Sequence, residues 1–426
     1  MNMLSVAPSP TKTNRECTLL KIGVGFFLIT ALTASVSLAG SVAAPYEIGT
    51  WEGFRPAAIT YTFDDNLTNQ YYTAVPMFHQ AGFKMTLFTV IDYWTAFTWS
   101  MAQTAASYGD EIGSHTVTHR DLSTLTIAQQ IPELINSRTA INANVTNQQC
   151  VTLAYPDCNE GNETYVARYY IAARGCSAQL ESSTPADFMN INSFVCGSVG
   201  PIKTPQDFND IANAAAAANE WCVYLIHAID NDNGYSPLPS STLQASVNYM
   251  STNQNMFWVE TFGNVVRYIQ ERNASSVAET SNSDSSITIQ VTNSLTNIFN
   301  YPITLRRPLP TGWPAAAVSQ NNQPISAQLV TVSSTNYVMF DVVPNGGDVI
   351  LSKTVLPFTI SNPGLITPTS LTFCLNGQAN VSYAIYTSTD LVNWSPVQTN
   401  TLVSTYTNFT VDASNTLQFY RAQWVP

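Results

Sequence analysis

The chain holds four histidines, His79, His115, His119 and His227, and two of them stand four apart in Ser114-His115-Thr116-Val117-Thr118-His119. On a helical turn that spacing aims both imidazoles at one point, where they can share a metal ion. The Thr-Val-Thr between them is a poor helix former, so a tight loop is an equal alternative. About fifty residues earlier, the β-branched run Ala58-Ile59-Thr60-Tyr61-Thr62-Phe63 ends in Asp64-Asp65-Asn66. Successive side chains of a strand point to opposite faces, so at a strand end one carboxylate can meet a metal while the other meets a substrate. Two imidazoles and one carboxylate form a recognised set for a catalytic divalent ion with positions left open. The competing reading is two unrelated histidines and an Asp-Asp-Asn turn.

These residues sit in a chain of 426 residues, enough for two or three domains. Only 10% of residues are charged and the net charge is −12, from 16 Lys and Arg against 28 Asp and Glu. No basic stripe is available to neutralise phosphates, which excludes a nucleic-acid partner. Arg15 and Lys21 precede an uncharged apolar run at residues 22–39, followed by small residues. Residues 1–44 therefore read as an export signal cleaved after Ala39 or Ala43, and the protein as secreted or extracytoplasmic. The run has about the minimum length to span a bilayer, so membrane attachment follows only if it stays uncleaved. Six cysteines come after it (Cys150, Cys158, Cys176, Cys196, Cys222 and Cys374), an even count that permits disulfides in an exported chain without fixing their pairing.

The elements that must position the chemistry alternate. Ala57–Phe63, Lys84–Ile91 and Trp221–Ile229 read as buried strands, being short apolar runs rich in β-branched and aromatic residues. Between them, residues 127–144 carry Ile127, Ile131, Leu134, Ile135 and Ile141 at helical spacing, and a second helix opens on a Thr204 cap with Pro205 in the first turn. The pattern predicts an α/β domain with a parallel sheet, of barrel type, over 45–275. Residues 273–286 read as a polar linker. Short strands broken by Pro, Asn and Gly then predict a β-sandwich module at 285–354 and a second β-rich module at 357–426.

Thr62-Phe63-Asp64-Asp65, the His115–His119 segment, Leu153-Ala154-Tyr155-Pro156-Asp157, Leu225-Ile226-His227 and the closing 258–272 stretch occur in an order that resembles the polysaccharide deacetylases, carbohydrate esterase family 4, with NodB homology. The resemblance covers roughly 45–272. It implies a deformed (β/α) barrel catalytic domain, here followed by C-terminal all-β modules, and metal-dependent hydrolysis of N- or O-linked acetyl groups on a polysaccharide or oligosaccharide such as chitin-type or acetylated xylan substrates. Carried over, it makes Asp65, His115 and His119 the ligands of a divalent metal, Zn2+ first, with Co2+, Ni2+ or Fe2+ also suited to the set. Asp64 becomes the general base, His227 the acid that protonates the departing sugar group, and Tyr155, Pro156 and Asp157 the turn whose backbone N–H holds the oxyanion. Two positions depart from the family pattern. The arginine expected beside the base is replaced by Ala154, and the Asp-and-Trp motif that usually lies between the third motif and the last histidine is reduced to the candidate Asp187.

Trp94, with Tyr93 and Trp99, follows the second strand and is a candidate groove residue for sugar stacking, as is Tyr235, while His79 reads as structural. Two other functions fit the same motifs. One is a carbohydrate-binding or surface protein with a degenerate deacetylase domain, as the absent arginine would suggest. The other is a metal-dependent hydrolase of a non-sugar amide.

Overall fold

The computed structural model describes residues 40–94, 96–415 and 417–425; the apolar run at 22–39, on which the export-signal reading rests, lies outside them. A short strand β1 (Glu47–Ile48) precedes eight parallel strands: β2 (Ala57–Asp64), β3 (Thr86–Thr89), β4 (Glu111–Ser114), β5 (Thr152–Ala154), β6 (Ala172–Arg174), β7 (Phe194–Val195), β8 (Trp221–Ile226) and β9 (Phe257–Val259). Their order is β6-β5-β4-β3-β2-β8-β7, with β9 paired to the start of β2. The helices are α1 (Val75–Ala81), α2 (Ala96–Ser107), α3 (Ile127–Asn144), α4 (Glu163–Val166), α5 (Pro205–Ala218), α6 (Ser240–Thr252) and α7 (Phe262–Ala274). The sheet curls into an incomplete barrel: Arg174 at the end of edge strand β6 touches Asp64 at the end of β2, although β5, β4 and β3 lie between them.

All eight residues of β2 are buried, because both faces of a parallel sheet are covered. Ala57, Ile59, Tyr61 and Phe63 pack outward with Phe78 of α1, Leu134 of α3, Phe208 of α5 and Leu243 of α6. The alternate set, Ala58, Thr60, Thr62 and Asp64, turns the other way, and the same parity aims Phe88 and Arg174 into the barrel. Gly113 of β4 is required there, since a Cβ on it would stand 2.6 Å from the Phe88 ring.

Both predicted helices form. In α5, Thr204 accepts a hydrogen bond from the Asp207 N–H, and the Asp207 carboxylate accepts from the Thr204 N–H, closing the N-terminus reciprocally. In α3 the inward stripe is Gln130, Glu133, Leu134, Ser137 and Ile141, whereas Ile135, expected inside, is exposed. Loops between the helix and the barrel mouth need hydrogen-bond acceptors there, so polar residues take positions that an apolar count assigns to the core.

The polar run read as a linker is largely strand. β10 (Ser276–Asn282) leaves α7 directly and pairs with β11 (Ser286–Thr292), with Val277 and Val291 facing in and the polar residues on the open edge. Then come β12 (Ile303–Pro308), β13 (Ala315–Gln320), β14 (Gln323–Ile325), β15 (Ala327–Val332), β16 (Thr335–Val342) and β17 (Val349–Thr354). They form two antiparallel sheets, β10-β11-β17-β13-β14 and β1-β12-β16-β15. Thus Glu47 and Ile48, placed in the barrel domain from sequence, pair instead with Arg306 and Leu305 of the sandwich. The two parts share one core, where Phe262, Val265 and Ile269 of α7 meet Ile287, Ile303 and Leu305. A last β unit contains β18 (Thr359–Thr367), β19 (Ser370–Asn376), β20 (Ser382–Ser388), β21 (Ser395–Thr401), β22 (Tyr406–Asp412) and β23 (Phe419–Val425), around Phe373, Tyr383, Ile385 and Phe409. No described helix is long and apolar enough to cross a membrane.

Where barrel and sandwich join, Glu271 of α7 is fully buried. One carboxyl oxygen accepts the Tyr301 N–H at 2.8 Å and the other has no partner among the described residues. Burial pushes this carboxyl up from 4.5 to about 7, against the pull of the Tyr301 N–H and Arg267. An acid whose pKa is raised by folding binds more protons folded than unfolded, so its contribution is complete below about 4.5 and is lost as pH rises through about 7. Glu271→Gln is expected to flatten the melting temperature against pH between 5 and 7, and to exceed wild type in stability at pH 8. Parallel curves for the two proteins would show that Glu271 does not carry this penalty.

Candidate active site

The site stands at the C-terminal ends of β2, β4, β5, β6 and β8, where loops of a parallel barrel converge. Asp64 ends β2 pointing inward, and the chain then turns through two left-handed residues, Asp65 (φ 76°) and Asn66 (φ 58°), a conformation that Asp and Asn accept at low cost. Asn66 locks the turn by exchanging two 3.0 Å hydrogen bonds with the backbone of Val90, beyond β3. The turn reading and the ligand reading of Asp-Asp-Asn are therefore one feature: the turn brings Asp65 to the same opening as Asp64.

The His115–His119 segment is a loop, with Thr116 and His119 both left-handed (φ 69° and 57°). Glu133 of α3 holds it, its carboxylate accepting the N–H groups of Val117 and Thr118, each at 2.9 Å, and the Thr118 hydroxyl at 2.6 Å. Thr116 Oγ1 accepts the His119 N–H, and Ser114 Oγ accepts the Thr116 N–H while bonding to Ser137. The two rings end with centroids 4.7 Å apart, nearly perpendicular.

Asp65 Oδ1 lies 3.4 Å from His119 Nε2 and 3.7 Å from His115 Nε2, and it is buried without a hydrogen-bond partner among the described residues. His115 Nδ1 stands 2.8 Å from the Ala154 carbonyl, an arrangement that requires Nδ1 to carry the proton and leaves a lone pair on Nε2. Burial lowers the His115 pKa, more than Asp64 and Asp65 raise it, so the ring is neutral near pH 7. One ligand atom from each of Asp65, His115 and His119 lies within 4.8 Å of the others. An orphaned carboxylate oxygen facing two imidazole lone pairs fits a divalent cation of the zinc type.

Asp64 is fully enclosed, and its partner is Arg174, whose Nη2 lies 2.5 Å from Oδ2. This corrects the expectation drawn from Ala154. The arginine absent from β5 arrives from β6, twenty residues later, and no local motif marks it. Burial pushes the Asp64 carboxyl up, but Arg174, His115 and His227 more than offset this and hold it below the ordinary carboxylate range. Oδ1 of Asp64 has no partner among the described residues.

His227 follows β8 with Nε2 3.9 Å from Asp64 Oδ2, and its pKa is lowered mainly by burial. Gln70 joins the two strand ends by donating to the carbonyls of Asp64 and His227. Asp187, the candidate for the Asp-and-Trp motif, is exposed and accepts the Met189 N–H, and among the described residues the buried His227 Nδ1 has no partner.

Asp64, Asp65, His115, His119 and His227 line a cleft of about 400 Å³ together with Tyr155, Asp157, Cys158, Cys176 and Tyr235. Pro156 is buried behind the turn, and Tyr155 is buried with its hydroxyl unpartnered. Tyr235, half-exposed, meets His227 edge to face at 5.0 Å. Trp94 does not line the cleft; it stacks on Trp99 at 4.1 Å against the outer core. Tyr93 is the exposed ring of that loop, 6.3 Å from His119. His79 stacks on Tyr108, away from the site.

Residues 53–171 match the family model for polysaccharide deacetylase. Among curated proteins the chain is similar to gellan lyase of a Bacillus species, 29% identical over 349 residues, which cover 74% of this chain and 14% of the relative. It is also similar to YxkH of Bacillus subtilis (strain 168), a protein named for polysaccharide deacetylase activity, 32% identical over 112 residues, 26% of this chain and 40% of the relative. The chain thus spans less than half the length of either. Among solved structures, the Xyl-CE4 domain of a multidomain xylanase from the hindgut metagenome of Trinervitermes trinervoides is 18% identical, covering 49% of this chain and 88% of that one, with a TM-score of 0.37. The family match takes in Asp64, Asp65, His115, His119 and the Tyr155–Asp157 turn, and His227 joins them in space from outside it. The chain carries a polysaccharide deacetylase domain of the NodB-homology kind.

Proposed function

We propose that the protein is a metal-dependent hydrolase that removes N- or O-linked acetyl groups from a polysaccharide or oligosaccharide outside the cytoplasm. The observation that carries this reading is the orphaned Asp65 Oδ1 facing His115 and His119 beside an Asp64 whose own Oδ1 is free. Asp65, His115 and His119 would hold a divalent ion, zinc first, which supplies Lewis acidity toward water and the acetyl carbonyl.

The chain's own residues account for the proton transfers. Asp64 keeps Oδ2 on Arg174, so Oδ1 is the atom that accepts a proton from the attacking water. As the C–N or C–O bond to the sugar breaks, the departing amine or hydroxyl needs a proton; burial lowers the His227 pKa, so the resting imidazole is neutral and delivers the proton that Asp64 has taken from the water. His227 Nε2 stands 3.9 Å from the Asp64 carboxylate, measured to Oδ2, so the proton taken up by Asp64 can pass to the histidine and on to the leaving group. In the Tyr155–Asp157 turn, the Tyr155 N–H is engaged by the Arg174 carbonyl and Pro156 has none. The Asp157 N–H is then the donor to the oxyanion.

Secretion is the natural setting for this activity, and the Val42 pairing with Val277 favours cleavage after Ala39, which leaves that bridge intact. The buried Arg174 pair weighs against the degenerate-domain alternative, because a domain relieved of catalysis has no need to keep two charges inside.

Acetate release from acetylated xylan and chitin oligomers is expected with added zinc and is expected to disappear with chelator. His119→Ala is expected to lower it at least ~100-fold, the scale of losing an electrophilic group. Metal-independent release, or full activity in His119→Ala, would refute the reading, and release only from cyclic amides would move it to the amide hydrolases. Arg174→Lys keeps the charge but shortens the reach to Asp64, and is expected to lower kcat by about tenfold with KM little changed. An unchanged kcat would remove Arg174 from the account.

A further inference from the structure

The arginine that holds Asp64 is carried by an insecure element. β6 has three residues, lies at the sheet edge, pairs with β5 on one flank and meets the 188–191 loop on the other. The Arg174 guanidinium relies on its backbone for position: Nη2 meets Asp64, while Nε and Nη1 are buried without hydrogen-bond partners among the described residues and the Phe88 ring lies 5.4 Å away. Two residues beyond Arg174, Cys176 is disulfide-bonded to Cys158, and both sulfur-bearing residues line the cleft.

Cys158 ends the turn that follows β5. Asp157 and Cys158 are consecutive left-handed residues (φ 54° and 60°), a conformation in which cysteine is uncommon and which persists only where the surroundings impose it. The turn is tied to the edge strand twice, through the Tyr155 N–H to the Arg174 carbonyl at 3.1 Å and through the disulfide. The bridge therefore joins the segment that presents the Asp157 N–H to the segment that presents Arg174.

We infer that the Cys158–Cys176 disulfide is a positioning clamp for catalysis, holding the edge-strand arginine on Asp64 and the oxyanion turn against it. It does for this chain what placing the arginine on β5, beside the turn, would do without a cross-link. The inference rests on the deacetylase reading for its kinetic consequence, but its structural consequence stands apart from that reading.

The test compares the metal-loaded wild type with the Cys158→Ser/Cys176→Ser double variant by steady-state acetate release and by hydrogen exchange at single-residue resolution. Displacing a reacting group by about an ångström can cost ~100-fold, so kcat is expected to fall at least ~10-fold with KM within about twofold. The Ala173 and Gly175 amides, bonded to the Phe188 and Ile191 carbonyls, are expected to exchange at least ~10-fold faster while those of β2 and β8 do not change. An unchanged kcat overturns the clamp even if exchange quickens, because the bridge then only stabilises. Should the wild type release no acetate under any condition, the deacetylase reading fails, and exchange alone decides: unaltered β6 amides overturn the clamp and selectively faster ones support it. If the variant does not fold, wild type reduced after folding with a phosphine gives the same two readouts.

Discussion

The buried ion pair between Asp64 and Arg174 governs the arrangement of the barrel. Both side chains are almost wholly enclosed, at 2% and 1% exposure. Removing such groups from water costs several kcal/mol each, roughly, and the cost is offset only while they stay together. The sheet must therefore curl far enough for its edge strand to face β2. Gly113 and Phe88 give the guanidinium its passage, and whatever fixes the end of β6 also fixes the carboxylate across the barrel. In exchange, Asp64 stays ionised in a dry site with one oxygen held and the other free.

Two adjacent carboxylates coexist because the chain gives them different surroundings. Strand parity turns Asp64 to the arginine, and the left-handed turn after it lifts Asp65 to the histidines. Buried acceptors outside the site do comparable work on the loops. Glu133 gathers three donors of the His115–His119 loop, and Gln70 bridges the ends of β2 and β8. Each of these polar groups is surrounded by protein, which is why the mouth of the barrel can be both polar and well ordered.

Much of this was legible in the residues. The β2 run, the helix over 127–144 and the Thr204-Pro205 helix start each follow from local chemistry, and the histidine pair with the aspartate doublet marked the residues that converge at the cleft. What escaped detection depends on contacts between distant residues. Arg174 stands 110 residues from Asp64, in a short run whose composition says nothing about an arginine across a barrel. The Ser276–Asn282 stretch reads as linker because its exposed edge is polar, and only pairing with β11 makes it a strand. Trp94 and Tyr93 are neighbours of similar chemistry, and the loop's turn decides which one faces the opening.

Beyond the barrel, the sandwich shares the core that α7 closes, so the site's scaffold includes residues on both sides of the polar stretch. The assignment of the two aspartates is the claim on which the rest depends. It is tested most directly with Asp64→Asn, which keeps a hydrogen bond to Arg174 and leaves Asp65 intact, by measuring zinc stoichiometry calorimetrically alongside acetate release. The account predicts one zinc per chain, as in wild type, with acetate release reduced at least ~100-fold for loss of the base. Retained activity, or loss of the zinc with the Asp64 carboxylate, would contradict it.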